Sequence, residues 1–188
     1  DERGLGRWTW LLFEGNNSYR TRVISAYVPC KTPTHRDATV YQQQVRVLTS
    51  LGITTCPRTL MITELTDNIQ QWQSNGENIV LFIDSNENLN KKGPVQRALT
   101  TDKCKQVDPI RLRFKDILAP PTYHRNHSFP IDSVFVSRKL RHITKGGWLR
   151  FGEGIGDHRA IFLDIPSHIL LGEDKFHIPP PQVRRLKC

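Results

Sequence analysis

Two pairs of polar residues, each beside an apolar run, are the side chains of this sequence best suited to chemistry. Asp84 and Asn86 follow the uninterrupted apolar run 79–83. Asp157 and His158 follow a glycine-rich segment and come just before another apolar run. One carboxylate and one amide at the end of a strand suit the binding of a hard cation or a phosphate group.

The first pair also has a simpler interpretation. Asn and Asp after a strand often only form a turn, because their side chains bond to their own backbone. If the backbone instead stays extended, Asp84 and Asn86 project from the same face, since they are two residues apart. A calcium loop is excluded, because Leu89 stands where the bend needs glycine and Val95 where a bidentate glutamate is needed. These residues alone leave the cation site and the turn as alternatives.

Two further polar residues stand in apolar surroundings. Asp132 lies within the apolar run 131–137, where a lone carboxylate is costly unless it is paired. Tyr27 lies near the end of another apolar run, just before Val28 and Pro29. Structural roles are the alternatives: a hydrogen-bonded buried carboxylate for Asp132, a turn for Asp157 and a packed ring for Tyr27.

The periodicity of the chain predicts the elements that carry these residues. Strands are predicted over 8–13, 19–28, 79–83, 131–137 and 160–165. Helices are predicted over 38–51, 59–74, 93–99 and 112–118. The first two strands are predicted to form a hairpin, and the third to be buried on both faces. Helices that lie between strands indicate an α/β or α+β fold with a sheet core.

Composition limits the partners. The 188 residues form one domain or most of one, with 27 Lys plus Arg against 18 Asp plus Glu and a net charge of +9. This excess favours a polyanion, either nucleic acid or an anionic lipid surface. No apolar run is long enough to span a membrane, and no amino-terminal signal pattern is present. The four cysteines have no zinc-ligand spacing, so reduced thiols in an intracellular protein are predicted.

Four motifs occur in an order that is more specific than any one of them. The motifs are V-I-S-A-Y-V-P, I-D-S-N-E-N, P-I-D-S-V-F-V-S and G-D-H-R-A-I. They contain Tyr27, Asp84 with Asn86, Asp132, and Asp157 with His158. In this order, from about residue 8 to 165, the chain resembles the endonuclease/exonuclease/phosphatase superfamily. The segments L-G-R-W-T-W and P-T-Y-H-R look most similar to the endonuclease domains of non-LTR retrotransposons.

The resemblance implies a four-layered α/β sandwich and Mg²⁺-dependent hydrolysis of phosphodiesters, with Mn²⁺ as an alternative ion. It implies that His158 contacts the scissile phosphate and is oriented by Asp132. This pairing is chemically reasonable, because a neighbouring carboxylate fixes an imidazole and favours its charged form. A charged imidazole then stabilises negative charge that develops on the phosphoryl group.

The same resemblance implies roles for the other motif residues. Asp84 positions or deprotonates the attacking water, and Asn86 binds a phosphate oxygen. Tyr27 donates to the phosphate or adjusts a water on the ion. Asp157 helps to hold Mg²⁺, directly or through water, since that ion prefers hard oxygen ligands.

The second motif departs from the family pattern, which usually reads Gly-Asp-Phe-Asn. Ile83 replaces the glycine and Ser85 replaces the phenylalanine. Both changes are tolerable if the end of the strand keeps its direction, although Ile83 adds bulk beside the phosphate site.

A second departure concerns the start of the family domain, which supplies a strand with an Asn and a helix with the main metal-binding Glu. Glu2 and Glu14 do not stand in matching surroundings. The chain therefore resembles the carboxyl-terminal part of such a domain over residues 1–166, followed by a basic, Pro-rich tail over 167–188. Weak nuclease activity and marginal stability are expected of these residues alone.

Cationic and aromatic residues of the second half of the chain predict DNA as the partner. The predicted phosphate contacts are Tyr123, His124, Arg125, Arg138, Lys139, Arg141, Lys145 and Arg150. The alternative is that the cations form only a solvated face.

Three functional hypotheses follow. The first is a nuclear, Mg²⁺-dependent endonuclease of a retroelement that nicks DNA. A reverse transcriptase domain beyond Cys188 would be consistent with this hypothesis. The second is a DNA-binding remnant without catalysis. The third is a phosphatase or lipid phosphodiesterase of the same superfamily.

Overall fold

The computed structural model describes residues 1–31, 38–115, 117–125, 128–153 and 156–172. The strands in this part of the chain are β1 Trp8–Glu14, β2 Arg20–Tyr27, β3 Asn78–Asp84, β4 Gln106–Val107, β5 Asp132–Ser137, β6 Lys145–Trp148 and β7 Ile161–Asp164. The α-helices are α1 Val40–Ser50, α2 Pro57–Ser74, α3 Pro94–Thr100, α4 Pro109–Phe114 and α5 Ser167–Leu170. Short 3-10 turns occur at Asn16–Ser18 and Arg138–Leu140.

The central sheet has the strand order β1-β2-β3-β5-β4 within the described residues. β2 and β3 are parallel, and the other neighbouring strands are antiparallel. β1 and β2 form the predicted hairpin, with Trp8 opposite Ala26 and Glu14 opposite Arg20. β3 has a partner on each side, which places it in the interior of the sheet.

Alternate residues of β3 belong to two separate cores, so the prediction of a strand buried on both faces is confirmed. Ile79, Leu81 and Ile83 pack with α2 and α3 on one face. Val80 and Phe82 pack on the other face, toward the small antiparallel sheet formed by β6 and β7. A slip of one residue would exchange the two sets, so burial on both faces fixes the register. Helices on one face and a second sheet on the other confirm the α/β class.

Some local predictions differ from the structure. α4 begins at Pro109 and ends at Phe114, so it lies earlier in the chain than predicted. The helix begins there because the Asp108 carboxylate accepts two backbone N–H groups of its first turn, at 3.0 and 2.9 Å. The Gly146-Gly147 pair lies inside β6, a strand that was not predicted. The two-residue strand β4 is too short to leave a periodic signal.

α5 lies in a segment predicted as tail, and it packs against the body of the protein. The Thr21 hydroxyl donates to the Leu170 carbonyl at 2.7 Å, and the Asn16 N–H donates to the Leu171 carbonyl at 2.9 Å. Residues 173–188 of the predicted tail lie outside the described residues. Among the helices that the structure describes, none has the length and apolar character to cross a membrane.

Candidate active site

Three of the predicted site residues meet at one end of the central sheet. The register pairs Tyr27 of β2 with Asp84 of β3, and Asp84 with Asp132 of β5. β5 runs antiparallel to β3, so the first residue of β5 meets the last residues of β2 and β3. Asp132 therefore lies at the edge of the apolar core and not within it.

His158 reaches the same end of the sheet from the loop before β7. Its Nδ1 lies 2.8 Å from Asp132 Oδ2, so the predicted contact between these two residues is confirmed. The Tyr123 ring packs on the imidazole with a centroid separation of 4.9 Å, and the two residues form an isolated β-bridge. The His158 side chain is 36% exposed, which leaves part of the imidazole accessible to a ligand.

Asp84, Asp132 and His158 form a compact group that we call the carboxylate–imidazole cluster. One ligand atom from each residue lies within 4.8 Å of the others, and all three residues are half-buried. Two ionised carboxylates this close repel each other, and a bound cation relieves that repulsion. The donor set fits a divalent cation that accepts oxygen ligands.

The cluster shifts the pKa values of its members. Burial is the main cause that raises the pKa of Asp84 to about 6, and the charge of Asp132 raises it further. Burial alone would lower the pKa of His158, but the hydrogen bond and charge of Asp132, with the charges of Asp84 and Asp157, raise it overall. The Asp84 carboxyl is therefore mostly ionised at neutral pH, and the neighbouring carboxylates shift His158 toward its protonated form.

Tyr27 completes this end of the sheet with a neutral donor. Burial is the main cause that raises the pKa of the Tyr27 hydroxyl, and the charge of Asp84 adds to the rise. The hydroxyl thus stays protonated at neutral pH, and the residue is 36% exposed. A protonated hydroxyl in this place is able to donate to an anionic oxygen.

Asn86 and Asp84 do not project from the same face. That arrangement requires an extended backbone through Asn86, and β3 ends at Asp84. The φ of Asn86 is 48°, in the left-handed region that Asn tolerates. Its N–H donates to Asp84 Oδ1 at 3.1 Å, and its Nδ2 donates to the Val28 carbonyl at 2.9 Å. The turn alternative is therefore realised, and Asn86 joins the ends of β2 and β3. Its contact with a phosphate oxygen stays a prediction.

The two unusual residues of this motif are accommodated by the core. Ile83 is 3% exposed and packs in the core on the helix side, although it also contributes to the lining of the hollow beside the cluster. Ser85 is fully buried, and its hydroxyl donates to the Ile131 carbonyl at 2.7 Å. Arg58 donates to the Ser85 carbonyl at 3.0 Å, which fixes the turn from the other side.

Thr122 is a positioning residue that the sequence analysis missed. It is fully buried, and its Oγ1 accepts the N–H groups of Ile131 and Asp132 at 2.9 and 3.0 Å. Its carbonyl accepts the Arg159 N–H at 2.7 Å. Thr122 therefore fixes the backbone of Asp132 relative to the residue that follows His158. Its place in the P-T-Y-H-R segment was the only signal in the sequence.

Asp157 lies next to the cluster but not within it. The residue is exposed, and its carbonyl accepts the His124 N–H at 2.8 Å. The three-residue group of ligand atoms does not include its carboxylate. Its role in metal binding stays a prediction, whereas its charge does help to raise the pKa of His158.

The residues predicted to bind nucleic acid divide between the two ends of the sheet. Tyr123, His124, Arg125 and Arg150 belong to loops at the end that carries His158; residues 126 and 127 of the first loop lie outside the described residues. Arg138, Lys139 and Arg141 follow the opposite end of β5. Lys145 begins β6 opposite Asp164, which is the end of β7 remote from His158.

A hollow of about 480 Å³ adjoins the carboxylate–imidazole cluster. It lies between the central sheet and β7, and Asp84, Asp132, Tyr27, Arg159 and Ile161 are among its lining residues. Arg159 and Arg7 line the same hollow as the two carboxylates, and Arg7 is paired with Asp1 and Glu64. The volume is within the range of ordinary ligand sites.

Comparisons with known proteins find solved structures of similar fold. No protein family and no curated protein matches the sequence. The catalytic domain of human Nocturnin, solved with a sulfate anion, matches with a TM-score of 0.57 and 13% identity over 84% of this chain and 52% of that chain. The Xenopus laevis APE2 catalytic domain matches with a TM-score of 0.56 and 14% identity over 84% and 55%.

A third match is a mannosyl-6-phosphatase of Bacteroides thetaiotaomicron, with a TM-score of 0.53 and 13% identity over 84% of this chain and 56% of that chain. The chain thus spans about half the length of these structures. At such low identities the likeness establishes the fold alone, an α/β fold that this chain shares with these three structures. The particular resemblance to retrotransposon domains stays a prediction.

Proposed function

We propose that this chain carries the hydrolytic centre of a Mg²⁺-dependent phosphodiesterase that nicks DNA, of the kind found in retroelements. The observation that supports the proposal most is the carboxylate–imidazole cluster. Its three residues come from separate motifs, and they converge in the arrangement that the order of those motifs predicts. The fold is shared with a mannosyl-6-phosphatase and with the Nocturnin catalytic domain that was solved with a sulfate anion, which makes phosphate chemistry reasonable.

Asp84 and Asp132 are the residues that would hold the divalent cation. Burial and the charge of Asp132 raise the pKa of Asp84, and a bound cation would offset that cost. When bound, the ion supplies positive charge that stabilises the negative charge developing on the phosphate oxygens. Mn²⁺ accepts the same oxygen ligands and is expected to substitute for Mg²⁺.

The side chains themselves account for the remaining steps. Asp132 holds His158 through Nδ1, so the opposite edge of a charged imidazole is able to donate to a phosphoryl oxygen. Asp84 orients the attacking water through the carboxylate oxygen that faces the phosphate and accepts its proton. Tyr27 donates a second hydrogen bond to the phosphate.

Charge and aromatic residues favour nucleic acid over a small phosphate ester as the substrate. The net charge is +9. Arg125 and Arg150 are exposed on loops at the cluster end, where Arg159 lies 4.1 Å over the Phe151 ring. Cations beside ring faces are the usual features of surfaces that bind single strands and phosphate backbones.

The direct test is nicking of supercoiled plasmid with Mg²⁺, with Mn²⁺ and with EDTA. We expect ion-dependent nicking that His158→Ala abolishes and that the matched surface change Asp102→Asn leaves unchanged, because Asp102 is exposed and remote in sequence from the site. Nicking that persists in EDTA, or in His158→Ala, would refute the proposal.

Two other results would select the alternatives. Binding of DNA without cleavage under any of these conditions would favour the non-catalytic remnant. Release of phosphate from sugar phosphates, or cleavage of a lipid phosphodiester, without nicking would favour the third hypothesis.

A further inference from the structure

A group of exposed cations lies at the end of β5 that is opposite to Asp132. We call Lys105, Arg138, Lys139 and Arg141 the basic cluster. β5 has six residues, and the 3-10 turn Arg138–Leu140 follows it directly. At about 3.3 Å per residue, roughly 20 Å separates the backbone of Asp132 from that of Arg138. The basic cluster is therefore not part of the candidate active site.

The backbone under the basic cluster is held firmly. Leu140 is fully buried in the second core and anchors the 3-10 turn. Ser137 is buried, and its hydroxyl accepts the Ile79 N–H at 2.9 Å. The Thr21 hydroxyl bonds to the end of α5, which packs beside this turn. The cations thus project from a fixed platform.

Two hollows flank Arg138 and Lys139. One, of about 340 Å³, is lined by Tyr19, Arg138, Lys139, Arg141, His142, His168 and Ile169. The other, of about 200 Å³, includes Lys105, Ser137 and Glu77 in its lining. The surface is therefore concave on both sides of a basic ridge.

The positive charge of this surface is not neutralised by the described residues. Among the ion pairs between described side chains, none involves the four cations of the basic cluster. Glu77 is the one carboxylate among the described residues that line the two hollows, and it is 5% exposed and bonded to Arg22 at 2.6 Å. Exposed like charges in such proximity favour a ligand with closely spaced negative charges.

The other residues of the surface favour nucleic acid over a membrane. Tyr19 is 40% exposed, and His142 and His168 line the same hollow, so ring faces and ring N–H groups accompany the cations. These groups stack on bases and bond to phosphates. Membrane-surface sites instead place large apolar side chains beside the cations, and the apolar side chain in this lining, Ile169, is half-buried.

We propose that the basic cluster binds the phosphate backbone of nucleic acid at a second site, separate from the carboxylate–imidazole cluster. This inference deepens the proposed function, because it rests on nucleic acid as the partner. Binding at this site requires no divalent ion, since the cations themselves bind the phosphates. It is therefore measurable without catalysis.

The test is fluorescence anisotropy of a labelled 20-bp duplex, in EDTA, over a range of salt concentrations. The variant combines Arg138→Gln, Lys139→Gln and Arg141→Gln. Each phosphate contact contributes about 0.9 to the slope of log affinity against log salt, so we expect the variant to lower that slope by about 2 to 3. The matched control combines Lys91→Gln, Lys92→Gln and Arg97→Gln, which removes the same charge from exposed positions elsewhere.

Equal slopes for the variant and the control would overturn the proposal, because net charge alone would then explain the binding. An unchanged slope in the variant would overturn it as well. If the variant loses binding to phosphatidylserine vesicles but retains DNA binding, the surface binds a lipid and the proposal is overturned. If plasmid nicking fails while the slope change is found, the proposed function falls and this second site stands.

Discussion

The two ends of β5 differ in charge and in construction. The carboxylate–imidazole cluster is half-buried, and Asp132 bonds both to His158 at 2.8 Å and, through its backbone, to Thr122 at 3.0 Å. The basic cluster is exposed, and three of its four residues, Arg138, Lys139 and Arg141, lie on or directly after a 3-10 turn that the buried Leu140 anchors. One end fixes side-chain geometry, and the other fixes only the position of charge.

This difference fits what the two proposed roles require. Phosphodiester hydrolysis needs reacting groups held to within a fraction of an ångström. Binding a phosphate backbone needs positive charge at a suitable distance and tolerates mobile side chains. Substitutions at the first end are therefore expected to affect rate and stability, and those at the second to affect affinity alone.

The largest effect is expected from Asp132→Asn. The amide leaves His158 without its charged partner, so the rate of plasmid nicking should fall about 100-fold or more, which corresponds to about 2.7 kcal/mol of transition-state stabilisation. The measurement is the initial nicking rate with saturating Mg²⁺, and Asp102→Asn serves as the control. A rate within twofold of the parent protein would show that the pairing with His158 is structural only.

Thr122→Val should have the next largest effect, on stability. The valine leaves the backbone N–H groups of Ile131 and Asp132 without an acceptor in a buried place, which costs about 1–3 kcal/mol of the free energy of unfolding. Urea unfolding measures this cost, and Thr122→Ser should restore most of it because the hydroxyl is kept. The exposed Thr144→Val provides the matched control. Equal stability of Thr122→Val and the parent would remove Thr122 from the account.

Asp84→Asn should give a smaller effect that depends on pH. The pKa of Asp84 is raised from 3.8 to about 6 in the folded protein, so its ionisation lowers stability as pH rises through that range. In the absence of divalent ions, the Asn variant should melt a few degrees higher than the parent at pH 7 and at about the same temperature at pH 4. Thermal melts at both pH values, in EDTA, measure the difference. A gain at pH 4 as large as that at pH 7 would contradict the electrostatic explanation.

The smallest effect is expected at the other end of β5. The variant changes Arg138, Lys139 and Arg141 to Gln. These cations are exposed and form no ion pair with the described carboxylates. The free energy of unfolding should therefore change by no more than about 0.5 kcal/mol. Urea unfolding in the same buffer as above measures it. Destabilisation comparable to that of Thr122→Val would show that the basic cluster is part of the packed structure.

The sequence predicted those parts of the fold and site that depend on local patterns. The apolar run 79–83 has no polar interruption, so its burial on both faces was evident. The contact between Asp132 and His158 was predicted because the order of the motifs carried information that periodicity lacks. Both predictions are confirmed.

The parts that could not be predicted depend on contacts between distant segments. Thr122 acts through backbone groups nine and ten residues away, and its own neighbours give no sign of burial. Asn86 turns away from Asp84 because Val28, 58 residues earlier, supplies an acceptor. The cations of the second half of the chain follow one another closely in sequence, yet six residues of β5 carry them to opposite ends of the sheet.

The most direct test of the account is the response of the histidine ring signals to Mn²⁺ in NMR spectra of the protein. The carboxylate–imidazole cluster contains His158, whereas His142 and His168 line the hollow at the basic cluster. We predict that Mn²⁺ below one equivalent broadens the His158 signals first, leaves those of His142 and His168 sharp, and has no such effect in Asp84→Asn. Broadening of His142 and His168 with His158 unaffected, or equal broadening in Asp84→Asn, would contradict the assignment of the cation site.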